Sequence, residues 1–176
     1  IYKFKNNFFV RALSEKDMKG NYLEWFQDPE ISKYNSHGKF FKTEKYYKEY
    51  IINAINSNEM IVWAICSPNK KHIGNVSLSH IDKINKSADL SIIIGNKIYW
   101  SKGIASIVSK KLIDHGFNKL NLNRITCATA EVNLGMNLLA KKLGMKKEGL
   151  RRKSLFLDGK YINCIEYGIL RSEFYK

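Results

Sequence analysis

Residues 87–112 read SADLSIIIGNKIYWSKGIASIVSKKL, and the hydrophobic period changes within this stretch. Ser87–Gly95 contains the apolar run Ile92-Ile93-Ile94, which indicates a strand. Four apolar residues then follow at helical spacing: Ile104, Ile107, Val108 and Leu112. The stretch therefore predicts a strand that leads through a tight turn into a helix.

The turn between them reads Trp100-Ser101-Lys102-Gly103-Ile104-Ala105-Ser106. Small residues here let the backbone approach a ligand closely. The first free amides of the helix and its dipole favour an anion, and a diphosphate fits such a place. Gly and Ala also suit a tight strand-to-helix turn that binds nothing, so the turn alone does not decide between the two interpretations.

On both sides of this turn the residue patterns predict the order β-α-α-β-β-β-α-β-α-β-β. The expected strands are Phe8–Ala12, Met60–Cys66, His72–Ser79, Ser87–Gly95, Arg124–Ala130, Met145–Ser154 and Tyr161–Leu170. The expected helices begin at Ser14, near Thr43, at Ile104 and at Gly135. Tyr22–Phe41 reads as aromatic and irregular, and Asp158-Gly159 as a hairpin turn. Antiparallel strands that lead into a β-α-β crossover predict an α+β domain with a mixed sheet.

Composition narrows the class of protein. The chain has 176 residues, of which 44% are hydrophobic and 26% charged, so we expect a single domain over residues 1–176 with its own core. The longest apolar run, Met60–Cys66, is strand-sized, and we expect no membrane span and no secretion signal. Three widely spaced cysteines, Cys66, Cys127 and Cys164, match no metal motif and favour a reducing, cytoplasmic location.

The formal net charge is +14, which is compatible with a polyanionic partner or with a merely Lys-rich surface. Only five of the 30 basic residues are Arg, the residue that suits bidentate phosphate and guanine contacts. This scarcity disfavours nucleic acid as a partner and leaves an anionic small ligand compatible.

The order of elements resembles that of the GNAT N-acetyltransferase superfamily. In that family a Gln/Arg-x-x-Gly-x-Gly/Ala turn binds the diphosphate of coenzyme A, and Gly103 and Ala105 match its last two key positions. Trp100 stands at the Gln/Arg position, which is common in the RimJ/RimL-like branch. The resemblance covers nearly the whole chain through the segments Trp25–Glu30, Ile73–Asn75, Asn133, Lys142–Met145, Glu148–Arg151 and Gly159–Tyr161.

The resemblance implies a fold and a co-substrate. The fold would be a mostly antiparallel seven-stranded sheet flanked by about four helices and splayed between its fourth and fifth strands. Acetyl-CoA would be bound by the backbone of Ile92, Ile93 and Ile94, by the turn residues Lys102, Gly103, Ile104, Ala105 and Ser106, and by Asn133. Asn133 is equally well placed to cap the helix that follows it. No metal is implied.

For catalysis, the resemblance points to Asp89, which stands 14 residues before Gly103, as the general base. Apolar neighbours would raise its pKa, but Asp89 could instead face solvent or pair with a Lys. The family's usual acid is a Tyr seven residues after the Asn, and here that position is Ala140, so Tyr161 or water would protonate the thiolate. A backbone amide near Ile93 would polarise the thioester carbonyl.

The implied function is acetyl transfer to a primary amine by direct attack in a ternary complex. The N-terminal aromatic residues Trp25 and Tyr34 would shape the acceptor site. A nucleotide-linked amino sugar suits the basic surface. Protein N-termini, polyamines and aminoglycosides are alternatives, and a polycation would need an acidic patch from Glu24, Asp28, Glu30, Glu44 and Glu49. Outside this class, a non-enzymatic nucleic-acid-binding module is the competing function. We expect a monomer or homodimer.

Overall fold

A computed structural model describes residues 1–35, 39–40 and 42–176, which form one eight-stranded sheet and five α-helices. The strands are β1 (Tyr2–Lys3), β2 (Phe9–Ala12), β3 (Ile61–Cys66), β4 (His72–Asp82), β5 (Ser87–Ile94), β6 (Arg124–Ala130), β7 (Lys146–Leu157) and β8 (Lys160–Leu170). The helices are α1 (Tyr22–Gln27), α2 (Glu44–Asn56), α3 (Ile104–Lys119), α4 (Leu134–Lys142) and α5 (Arg171–Phe174). No helix in these ranges is long and apolar enough to cross a membrane.

The α+β class and the mixed sheet are confirmed, with three differences in detail. The two-residue β1 brings the strand number from seven to eight, so the expected fourth and fifth strands are β5 and β6. The helix expected at Ser14 is a 3-10 helix over Glu15–Lys19. Helix α1 lies where the sequence reads as irregular, because Tyr22, Trp25 and Phe26 form a short buried stripe at helical spacing.

The central strand β3 explains the longest apolar run of the sequence. Its alternate residues Val62, Ala64 and Cys66 are buried in the core under α1 and α2. Trp63 and Ile65 are buried on the opposite face, in the core under α3. A strand covered on both faces needs apolar residues throughout, which is why β3 shows no alternation.

The sheet opens in its middle. The strand order is β1-β2-β3-β4-β5-β6-β8-β7, and β5 and β6 form its parallel pair. Their register runs only from Ser87 opposite Arg124 to Asp89 opposite Thr126. Beyond Asp89, β5 stays paired with β4 as far as Ile94, whereas β6 stays paired with β8. The predicted splay is therefore confirmed between β5 and β6.

A buried ion pair anchors the 3-10 turn to β2. Asp17 is 5% exposed, and its carboxylate accepts a hydrogen bond of 2.8 Å from Nη1 of Arg11. The backbone amide of Ser14 donates to the same carboxylate at 2.9 Å, which forms the expected capping box. Burial alone would raise the pKa of Asp17, but the Arg11 hydrogen bond and the nearby His72 outweigh it, and the pKa lies below its ordinary value.

We predict that Asp17→Asn lowers the free energy of unfolding by about 1–3 kcal/mol, because Arg11 loses its charged partner while staying largely buried. Asp158→Asn is the matched control, since Asp158 is exposed and its pair with Lys33 spans 3.5 Å. Urea unfolding at neutral pH measures both. The contribution of the Asp17 carboxylate to the free energy of unfolding is complete above about pH 4. It is lost as the pH falls through the lowered pKa that Asp17 has in the folded protein. Equal stability of the two variants would contradict the prediction.

Candidate active site

The N-terminus of α3 presents an open row of backbone amides. Gly103 caps the helix with a φ of 76°, and Ser101 also has a positive φ of 58°. The amide of Ile107 makes a helical hydrogen bond to the carbonyl of Gly103. The amides of residues 104–106 come before it and therefore have no acceptor within the helix. A Cβ atom at Gly103 would meet no other atom within 4 Å. This combination of open space, free amides and the positive end of a 16-residue helix suits a diphosphate.

Trp100 ties this turn to the strand before it. Its indole Nε1 donates to the carbonyl oxygen of Ile94 at 2.8 Å. Trp100 therefore holds the turn before α3 against the last residue of β5. Lys102 beside it is exposed, with Nζ 5.8 Å from the ring centroid of Tyr99, and can reach a phosphate.

The backbone of β5 offers polar groups to the opening in the sheet. The amide of Gly95 donates to the carbonyl of Ile73 on the β4 side at 2.8 Å. Because antiparallel ladders alternate, Ile93 also faces β4, and the residues that face the opening are Leu90, Ile92 and Ile94. The amide of Ile93 itself is therefore directed to β4, and the prediction of a carbonyl-polarising amide near Ile93 stays with its neighbours.

Asp89 lies where β5 and β6 part, at the wall of a cavity of about 420 Å³. Its side chain is half exposed. The hydroxyl of Thr126 on β6 donates to its Oδ1, and Nδ1 of His80 on β4 lies 3.0 Å from its Oδ2. The structure thus brings Asp89 together with two residues that the sequence analysis did not single out.

The other charges of this cavity are paired. Arg124 on β6 makes two hydrogen bonds to Glu148 on β7. Nε of Arg151 lies 3.0 Å from Oε1 of Glu166 on β8. With both glutamates paired to arginines, Asp89 is the cavity carboxylate that an incoming ammonium group can approach.

Tyr161 does not share this site. Its side chain is 67% exposed and its ring packs on Phe156, with centroids 5.0 Å apart. The residue of β8 level with Asp89 is Gly168, which pairs with Thr126. Seven residues of strand separate Tyr161 from that level, roughly 23 Å at 3.3 Å per residue. Tyr161 therefore does not act beside Asp89, and protonation of the thiolate by Tyr161 or by water stays a prediction.

The two predicted acceptor residues lie in different surroundings. Trp25 is 3% exposed and packs on His72, with ring centroids 4.9 Å apart, and against Gly95. It is a core residue and does not line the Asp89 cavity. Tyr34 is 44% exposed, and its hydroxyl donates to the carbonyl of Val132 at 3.2 Å, beside Asn133. Phe41, from the same aromatic cluster, lies outside the described residues.

Asn133 caps α4. Its Oδ1 accepts from the amide of Met136 at 3.2 Å, and its Nδ2 donates to the hydroxyl of Thr129 at 3.1 Å. The helix-cap interpretation is confirmed. A contact with the co-substrate stays a prediction, and it would add to these bonds or replace one of them.

Neither a nucleophilic thiol nor a metal cluster is apparent among the described residues. Cys127 is buried, and burial raises the pKa of its thiol to about 12, so the reactive thiolate is scarce at neutral pH. No group of three His, Cys, Asp or Glu side chains that could hold a metal occurs in that part of the chain. His37 lies outside it.

Comparison with known proteins decides the family. A family model described as an acetyltransferase (GNAT) domain matches residues 7–146. The chain belongs to the GNAT acetyltransferase family. This GNAT protein is an acetyl-CoA-dependent N-acetyltransferase, and its co-substrate is acetyl-CoA. The Gly103 turn and the open edge of β5 fit the diphosphate and the amide-bearing arm of that molecule.

Relatives support the assignment. The uncharacterized N-acetyltransferase p20 of Bacillus licheniformis is 31% identical over 156 residues, which cover 86% of each chain. The spermidine N(1)-acetyltransferase of Vibrio cholerae is 29% identical over 150 residues, 85% of this chain and 80% of that one. The crystal structure of spermidine N-acetyltransferase from Vibrio cholerae with CoA and spermine has a TM-score of 0.86 at 24% identity, over 96% of this chain and 98% of that chain.

We predict that Gly103→Val weakens coenzyme A binding by roughly 10–100-fold, because a branched side chain displaces the diphosphate from one or two charge-assisted hydrogen bonds. Gly159→Val is the matched control: Gly159 has a φ of 77° and an equally open Cβ position in the β7–β8 turn. Each variant should lose about 1–2 kcal/mol of stability through backbone strain. Calorimetric titration measures the Kd. Wild-type affinity in Gly103→Val would refute the assignment of the diphosphate site.

Proposed function

We propose that this enzyme transfers the acetyl group of acetyl-CoA directly to a primary amine held in the Asp89 cavity. The observation that carries the proposal is the position of that cavity. It opens where β5 and β6 part, beside the backbone groups of β5 that have no strand partner in the register. An amine in the cavity and a thioester along β5 would meet at one point.

Three parts of the chain would share the work. The amides of Ile104–Ser106 and the Lys102 side chain would bind the diphosphate. The backbone groups of Ile92 and the amide of Ile94 would pair with the arm, and an amide of this row would polarise the thioester carbonyl. Acetyl-CoA supplies the activated acetyl group. Removal of the proton from the incoming ammonium would depend on the carboxylate of Asp89.

Direct attack is supported by the state of the thiols. Cys66, Cys127 and Cys164 are all buried. Burial raises the pKa of the Cys66 and Cys127 thiols, which disfavours an acetylated cysteine as an intermediate. A ternary complex of enzyme, acetyl-CoA and amine needs no such intermediate.

As the acceptor we propose a nucleotide-linked amino sugar. The net charge of +14 attracts an anionic substrate. The acidic patch that a polycation would need is partly neutralised, because Nζ of Lys97 lies 2.8 Å from Asp28 and 2.5 Å from Glu30. The Asp89 cavity offers one carboxylate without an arginine partner, which suits a single ammonium group.

A polyamine is the second candidate, because relatives of this chain include spermidine N(1)-acetyltransferases. Protein N-termini and aminoglycosides remain alternatives within the class. None of these acceptors requires the protein to bind nucleic acid. We also propose a monomer or a homodimer as the assembly; a dodecameric structure is known for the Vibrio cholerae enzyme.

An acceptor panel tests the substrate class. It comprises a UDP-linked amino sugar, spermidine, an aminoglycoside and a peptide with a free N-terminus, each with acetyl-CoA and detection of the released thiol. We expect kcat/KM for the amino sugar to exceed that for spermidine by about tenfold or more, a difference of about 1.4 kcal/mol in transition-state binding. A higher kcat/KM for spermidine would identify a polyamine, in place of the amino sugar, as the acceptor. No thiol release with any of the four amines would contradict the proposed function.

We predict that Asp89→Asn lowers kcat/KM by about 10²–10⁴ at neutral pH, the range expected when a general base is lost. The loss should shrink at high pH, where the free amine is already neutral, and coenzyme A binding should hardly change. Asp82→Asn is the control, because Asp82 lies in the same hairpin, caps its turn through the amides of Ile84 and Asn85, and does not line the cavity. Activity of Asp89→Asn within about twofold of wild type is too high for loss of a general base.

A further inference from the structure

A bulge in β4 turns His80 toward the cavity. In the β4–β5 ladder, Ser79 lies opposite Asp89 and the next pair is Asp82 with Ser87, so β4 carries one extra residue. His80 has a positive φ of 50° at this point. The amide of Ile81 leaves the ladder and donates to the carbonyl of Glu59 at 2.9 Å.

Without the bulge His80 would face the opposite side of the sheet. Leu78 is fully buried in the core under α3, and a regular strand would direct His80 to the same face as Leu78. The bulge and the left-handed backbone place it instead with Ser79 and Asp89 in the cavity lining. A non-glycine residue at positive φ is uncommon, and bulges of this kind re-aim side chains beside active sites.

The contacts of Asp89 determine how it acts together with His80. Thr126 donates to Oδ1 of Asp89, and Nδ1 of His80 lies 3.0 Å from Oδ2. Both carboxylate oxygens are therefore engaged. When Nδ1–H of the imidazole donates to Oδ2, its Nε2 becomes the acceptor. The His80 side chain is 84% exposed, so Nε2 is open to a substrate.

We propose that His80 is the catalytic proton acceptor of this enzyme and that Asp89 is the residue that positions it. The inference rests on the proposed function and deepens it, since proton removal still depends on Asp89. Nε2 of His80 takes one proton from the substrate ammonium and later releases it to solvent. The neutral amine then forms the C–N bond to the acetyl carbon and the C–S bond breaks. The second proton lost from nitrogen goes through water to the departing thiolate, which leaves as the free thiol of coenzyme A.

The chemistry of the pair suits a reaction at neutral pH. Imidazole is the side chain that ordinarily changes charge between pH 5 and 8, so it can both accept and release a proton there. A carboxylate bonded to the other ring nitrogen holds the tautomer and stabilises the imidazolium, as in the catalytic triads of acyl transfer.

The electrostatic surroundings of His80 come from every strand around the cavity. The charged groups that face it are Asp89 on β5, Arg124 on β6, Glu148 and Arg151 on β7, and Glu166 on β8, with Glu59 beside the bulge. Each arginine is paired to a glutamate, so the carboxylate of Asp89 is the charge in direct contact with the imidazole.

His80→Gly is the decisive variant, because glycine adopts a φ of 50° without strain and the fold is preserved. We expect kcat/KM at pH 7 to fall by about 10²-fold or more, with unchanged coenzyme A affinity. Added imidazole should restore part of the lost rate. Lys86→Gly, at a φ of 54° in the same hairpin and outside the cavity lining, is the control and should keep wild-type kcat.

Two further measurements distinguish the roles of the pair. The double variant His80→Gly/Asp89→Asn should be no slower than the slower single variant, because residues that act as a unit are non-additive. The pH dependence of wild-type kcat/KM near neutrality should be absent in His80→Gly. An equal loss at every pH, or no rescue by imidazole, would overturn the role of His80.

The experiments distinguish failure of this inference from failure of the proposed function. If His80→Gly is within about twofold of wild type while Asp89→Asn is inactive, proton removal goes to Asp89 directly and only the inference falls. If the wild-type enzyme releases no thiol with any amine of the acceptor panel, the proposed function falls with it.

Discussion

The parting of β5 from β6 after three residue pairs is the constraint on which the site depends. Each strand keeps its outer neighbour, β4 for β5 and β8 for β6, and so the two halves of the sheet cannot close on each other. The backbone groups of Ile92 and the amide of Ile94 face an opening in place of a strand, whereas the carbonyl of Ile94 accepts from Trp100. Polar backbone groups need partners, and an elongated ligand with amides of its own can supply them. The slot proposed for the co-substrate arm is thus a consequence of strand pairing and would require no dedicated side chains.

The two halves contribute different properties to the site. Strand β5 belongs to the half that is packed by helices on both faces, so Asp89 stands on a well-supported strand. The other half brings the ion pairs Arg124–Glu148 and Arg151–Glu166 to the cavity. These pairs cancel most of the local charge without removing polarity. A substrate with one positive group near Asp89 and anionic groups farther away would therefore suit the cavity, in line with the proposed acceptor.

Local patterns predicted the elements that local forces determine. The change of period at Gly103, the Asp158-Gly159 turn and the Asn133 cap are all present in the structure, because each depends on residues within a few positions of one another. The family resemblance added the splay, which no local pattern contains. Helix α1 was not predicted, because six residues are too few to show a clear helical period. Its apolar stripe is recognised only from the core that it covers.

What could not be predicted at the site has a common physical origin in register. The distance of Tyr161 from Asp89 depends on how β8 pairs with β6, which involves residues far apart in sequence. The burial of Trp25 likewise depends on the close approach of α1 to Gly95. His80 was missed because a regular strand directs it into the core, and only the extra residue in the β4–β5 ladder reverses its face.

Trp100 connects the turn before α3 to the end of β5. By donating to the carbonyl of Ile94, the indole joins the diphosphate turn to the end of the strand that would bind the arm, so both co-substrate contacts belong to one rigid unit. On the acceptor side, Tyr34 and Lys39 reach the C-terminal half through single hydrogen bonds to backbone carbonyls at the surface. Surface bonds of this kind contribute little stability and do not depend on the side chains they contact. If the proposed sites are right, the fold holds the co-substrate on one rigid unit and leaves the acceptor to surface residues that can change without disturbing it.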